Sequence, residues 1–77
     1  MSPAALPVVS GREAVRAFEK AGWIVARQRA SHIILIKPNV PVNLSIPNHR
    51  QLDRGLLRAQ IRKAGLTVEE FVDLQSE

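Results

Sequence analysis

The run Trp23-Ile24-Val25-Ala26-Arg27-Gln28-Arg29-Ala30-Ser31-His32-Ile33-Ile34-Leu35-Ile36-Lys37 sorts the chain among fold classes. Two blocks flank Ala30-Ser31, the one pair short enough for a tight turn between them, and the second block is apolar and largely β-branched. Trp23 to Arg29 reads as a strand. Trp23, Val25, Arg27 and Arg29 share one face, and Ile24, Ala26 and Gln28 share the other. His32 to Lys37 reads as a second strand, apolar on both faces. Pro38-Asn39-Val40-Pro41 breaks it. Val42-Asn43-Leu44-Ser45-Ile46 alternates, with Val42, Leu44 and Ile46 inward, and Pro47 ends this third strand. Short links make an antiparallel three-stranded meander.

Helices flank the meander on both sides. Upstream, Ser10-Gly11-Arg12-Glu13 is a capping box, so a helix is predicted from about Gly11 to Ala21. Val15 and Phe18, with Ala14 and Ala21, form its apolar stripe; Arg12, Arg16, Glu19 and Lys20 take the solvent side. Gly22 suits the left-handed residue that ends a helix. Downstream, Asp53 is an N-cap for a helix running to Ala64, with Leu57 and Ile61 inward and Gly65 as the stop. Arg54, Arg58 and Arg62 recur every four residues as one basic stripe. Thr67-Val68-Glu69-Glu70 is a second capping box, opening a short helix with Phe71, Val72 and Leu74 on its apolar side. The fold class is α+β: a three-stranded antiparallel sheet with helices on one face. Residues 1–9 are expected to be a flexible lead-in, and residues 10–77 a single domain.

Charge and composition narrow the function. The 77 residues carry 11 Lys plus Arg against 7 Asp plus Glu, a net charge of +4. All eleven cations lie between Arg12 and Lys63, and residues 1–65 hold only three acids, a balance of +8. The last twelve residues hold four acids and no cation. A basic body of this kind points to a polyanionic partner, above all nucleic acid. The absence of Cys excludes disulfide scaffolds, thiolate metal sites and cysteine nucleophiles, and two His argue against a His-rich metal centre. The longest apolar run, Ile33 to Ile36, is far short of a membrane span. No basic segment followed by an apolar stretch opens the chain, so a cytoplasmic location is expected.

Several of these segments resemble the HicA toxin family. They are Ser10-Gly11-Arg12-Glu13 through Ala21-Gly22-Trp23; Arg27-Gln28-Arg29-Ala30-Ser31-His32, similar to the family's R-Q-x-G-S-H; Ile46-Pro47-Asn48-His49; Gly55-Leu56-Leu57-Arg58; and Ala64-Gly65-Leu66. The resemblance covers about residues 8 to 74. It implies a double-stranded-RNA-binding-domain-like α-β-β-β-α fold, an endoribonuclease that cleaves mRNA, and neutralisation by a HicB-type antitoxin; no cofactor is expected. It implies that His32 is the catalytic histidine. The chain departs from the family pattern at Ala30, where the family has Gly, at Ile33, where a second His is frequent, and at Leu56, where the family has Thr.

The chemistry can be argued from the residues as well. RNA needs no metal to be cut, because its own 2′-OH can attack the neighbouring phosphate. The reaction needs a base, an acid for the leaving 5′ oxygen, and cations for the developing charge. Histidine can fill either proton role near neutrality. His32 begins a strand beside a turn, within reach of solvent. Arg27 and Arg29 precede it on the neighbouring strand and can hold phosphate. Lys37, Arg54, Arg58 and Arg62 are the further candidate RNA-binding residues. His49 is the other imidazole, in the loop after the third strand. Ile33 and Leu35, or the alternate pair Ile34 and Ile36, are candidates for a protein interface. A non-catalytic RNA-binding or protein-interaction module of the same shape is the alternative.

Overall fold

The computed structural model describes residues 6–77. The first helix, α1 (Gly11–Lys20), starts on the expected capping box. The Ser10 hydroxyl accepts from the Glu13 amide at 3.1 Å, and a Glu13 carboxylate oxygen accepts from the Ser10 amide at 2.8 Å. Two amides that a helix start leaves free are thereby satisfied. Ala21 is the C-cap, one residue beyond the helix, and Gly22 follows with φ of 98°. Strands β1 (Ile24–Arg29), β2 (His32–Ile36) and β3 (Leu44–Pro47) follow, then helices α2 (Arg54–Lys63) and α3 (Val68–Ser76). The sheet order is β1-β2-β3, antiparallel throughout. This is the expected α+β, double-stranded-RNA-binding-domain-like order.

The downstream caps also form as expected. Asp53 Oδ2 accepts from the Leu56 amide at 2.9 Å, and Thr67 and Glu70 make the second capping box. Gly65, with φ of 77°, ends α2 after Ala64. Phe18, Leu35, Leu44, Ile46, Leu57, Ile61 and Phe71 are fully buried in the core, which also holds Trp23 and lies between the helices and the β2–β3 half of the sheet. Phe71 seats α3: its ring lies 5.2 Å from that of Phe18. Of the nine residues expected to form a lead-in, 1–5 lie outside the described residues. Leu6 and Val9 are buried, and the Val9 carbonyl accepts from the Leu52 amide at 2.8 Å.

Three details of the sheet differ from the sequence reading. Trp23 stands before β1 rather than in it. Its amide donates to the Phe18 carbonyl at 3.1 Å, which turns the ring into the core. Val42 is outside β3 and 40% exposed, because the chain from Lys37 to Asn43 is a loop containing Pro38, Pro41 and a left-handed Asn39 (φ 67°). The largest difference lies in β1. Val25 pairs with Leu35 and Arg27 pairs with Ile34, so Ala26 is an extra, bulged residue. A bulge reverses the alternation beyond it. Val25 and Gln28 therefore take the helix side, opposite Leu35 and Ile33. Ile24, Arg27 and Arg29 take the outer side, opposite Ile36, Ile34 and His32. The expected grouping of Val25 with Arg27 and Arg29 does not occur.

Candidate active site

The β1–β2 hairpin builds the site. Arg29 pairs with His32, leaving Ala30-Ser31 as a two-residue loop. Ala30 has φ of 52°, and Ser31 is not among the residues of positive φ. Ala30 is thus held in the left-handed region, as the two-residue hairpin turns whose twist matches that of the strands require of their first residue. The other side of the hairpin is tied down as well. His32 pairs with Pro47, and beyond that pair the Asn48 amide donates to the Ser31 carbonyl at 2.6 Å. The His49 carbonyl in turn accepts from the Gly11 amide at 2.8 Å. Backbone pairing thus sets Pro47-Asn48-His49 beside Ala30-Ser31-His32.

His32 opens the central strand and is exposed on the face opposite the core. Arg29 is its direct cross-strand neighbour, and such pairs have Cβ atoms about 4.5–5.5 Å apart. Arg27 lies two residues away on the same outer face, opposite Ile34. No acid occurs between Lys20 and Leu52, so every charge contributed by the sheet is positive. The arrangement can hold an anion against Arg29 and Arg27 and present an imidazole to it.

Other expected site residues stand apart. Lys37 lies past the far end of β2, where its ammonium donates to the Ala21 carbonyl at 2.9 Å. Arg54, Arg58 and Arg62 are exposed along α2, whose inward residues Leu57 and Ile61 pack in the core. Four residues of helix separate successive arginines by about 6 Å, so they form a row of positive charges. His49 is exposed in the loop after β3. Of the two candidate interface pairs, Ile33 and Leu35 are buried in the core. Ile34 is half-buried and Ile36 is 40% exposed, on the outer face.

The sequence reading missed a groove between α1 and β1. It has a volume of about 240 Å³ and is lined by Arg12, Val15, Arg16, Glu19, Val25, Gln28 and Ile33. Without the bulge, Val25 and Gln28 would lie on opposite faces, and no local pattern marks the bulge.

A family model described as the HicA toxin of bacterial toxin–antitoxin systems matches residues 11–66. The chain belongs to the HicA toxin family. No curated protein matches it. The matched region runs from the first residue of α1 to just past α2, so it contains the hairpin with His32 and the arginine row. Membership makes the chain a toxin by family and implies an antitoxin partner. No helix of the described residues is long and apolar enough to cross a membrane.

Proposed function

We propose that this HicA-family chain is a metal-independent endoribonuclease that cleaves mRNA, with His32 as its catalytic residue, and that a HicB-type antitoxin neutralises it. The observation that carries the reading is the direct pairing of His32 with Arg29 on an exposed, acid-free face. In the proposed reaction the RNA 2′-oxygen forms a bond to phosphorus and the bond from phosphorus to the 5′-oxygen breaks. His32 acts in proton transfer between these two oxygens. Arg29 and Arg27 stabilise the charge that builds on the phosphate oxygens. Arg54, Arg58 and Arg62 hold the backbone of the RNA farther along. The groups beside His32 are a guanidinium and a proline, which suit phosphate rather than a cation.

The test is RNA cleavage in the presence of EDTA by the parent chain and by His32→Ala at equal folded concentration. Cleavage by the parent alone is expected. His32 is exposed, so the variant retains its fold. Equal cleavage by both would remove His32 from the mechanism. One observation favours a second reading, a non-catalytic RNA-binding module: Ala30 occupies the left-handed position where the family has Gly. Salt-sensitive RNA binding without cleavage by either protein would select that reading.

A further inference from the structure

The α1–β1 groove opens along a sheet edge that nothing in the described fold covers. All six residues of β1 are exposed, and Val25, on the helix side, is 41% exposed. The opposite edge of the sheet is partly closed: the Ser45 amide of β3 donates to the Gln60 side chain of α2 at 3.2 Å. An open edge presents unpaired amides and carbonyls to any extended chain. Pairing of two β1 strands is disfavoured in the registers that set Arg27 or Arg29 opposite a like charge. Its two flanks have distinct chemistry. On the helix side, Val15, Val25 and Ile33 make an apolar floor, with Arg12 and Arg16 on the rim and Glu19 as the one acid. On the outer side stand Arg27 and Arg29. None of the chain's Trp and Phe residues lines the groove: Trp23, Phe18 and Phe71 are all buried, so no Trp or Phe ring is offered there for a base to stack on.

We propose that β1 accepts an extended segment of a protein partner as a fourth strand. The segment alternates aliphatic residues, which enter the α1–β1 groove, with carboxylates, which meet Arg27 and Arg29. Backbone pairing supplies affinity, and the alternate side chains supply selectivity. The proposal rests on the reading that an antitoxin accompanies this chain, and it names the chemistry of the segment by which that partner docks.

A short capped peptide alternating valine and glutamate serves as the probe. The readout is hydrogen exchange at the amides of residues 24–29 of the full chain. Protection of these amides is expected from this peptide and not from its valine–lysine counterpart. Val25→Asp, at an exposed position on the face away from His32, is expected to weaken binding at least tenfold. Arg16→Glu is expected to weaken it severalfold. RNA cleavage is expected to be unchanged in both variants. Equal protection by the lysine peptide would overturn the proposal. So would protection by a single-stranded RNA oligonucleotide where the peptide gives none, which would assign the groove to nucleic acid. Self-association of the free chain that Val25→Asp abolishes would assign the edge to a second copy. Absence of RNA cleavage by the parent chain in the EDTA assay, or equal cleavage by His32→Ala, with peptide binding intact, would remove the catalytic reading alone.

Discussion

Ala30 holds a backbone conformation that an L side chain resists. A left-handed residue other than glycine costs about 1–2 kcal/mol, and glycine returns part of that through its greater unfolded-state freedom. Ala30→Gly is therefore expected to stabilise the chain by roughly 0.5–1 kcal/mol, a rise of a few degrees in thermal midpoint for a domain of this size. Thermal unfolding of the two proteins checks this. A fall in midpoint would show that the hairpin does not hold φ near 52° in solution. Gly11 is constrained in a different way. A Cβ there would overlap the Pro47 carbonyl oxygen, which is backbone and cannot swing aside. Gly11→Ala is expected to destabilise by about 1–3 kcal/mol, measured by urea denaturation. It also bears on the site, because this contact holds α1 against the strand end that pairs with His32.

At the scale of elements, the capping boxes, the glycine stops and the basic row on α2 were legible in the sequence because each is written within a few consecutive residues. The position of His32 was legible for a related reason: a two-residue turn leaves little choice of register. The bulge at Ala26 was not legible. It is a property of how β1 pairs with β2, and nothing within Val25-Ala26-Arg27 announces it. One inserted residue moved Arg27 and Arg29 to the outer face and created the groove. The third helix illustrates how an element is secured. Its cap and its one fully buried side chain act together, and Phe71→Ala is expected to cost about 3–5 kcal/mol. Thr67→Ala should cost about 1 kcal/mol. Denaturant midpoints distinguish the two. Near-equal losses would mean that α3 is held by its cap rather than by Phe71.

At the scale of the whole molecule, charge is sorted by position. The sheet and α2 are basic, and acids gather in the last twelve residues on and after α3. A field of this shape attracts a polyanion toward the sheet and α2 and away from α3. If the α2 arginines contact RNA phosphates, replacing Arg54, Arg58 and Arg62 with alanine should flatten the dependence of log affinity on log salt by about 2, at roughly 0.7 per contact on a single strand. Binding isotherms at several salt concentrations give the slope. An unchanged slope would leave the row as an ordinary solvated helix face. The same sorting explains why the site could be anticipated only in part. The sign of the partner follows from composition. Which arginines stand together depends on strand pairing, and Lys37 is tied to the end of α1 rather than aligned with His32.

Trp23 gives the molecule an optical property. The chain has one tryptophan and no tyrosine, so its near-ultraviolet emission comes from a single ring. That ring is 2% exposed, with an indole N–H that finds no acceptor among the described residues, between the end of α1 and the start of β1. Emission from such a ring lies at short wavelength while α1 and β1 stay together and moves to longer wavelength when they part. One fluorimeter trace therefore follows the junction on which both the groove and the hairpin depend. It does so without a label and without interference from RNA, whose bases absorb at shorter wavelength than the red edge of indole excitation.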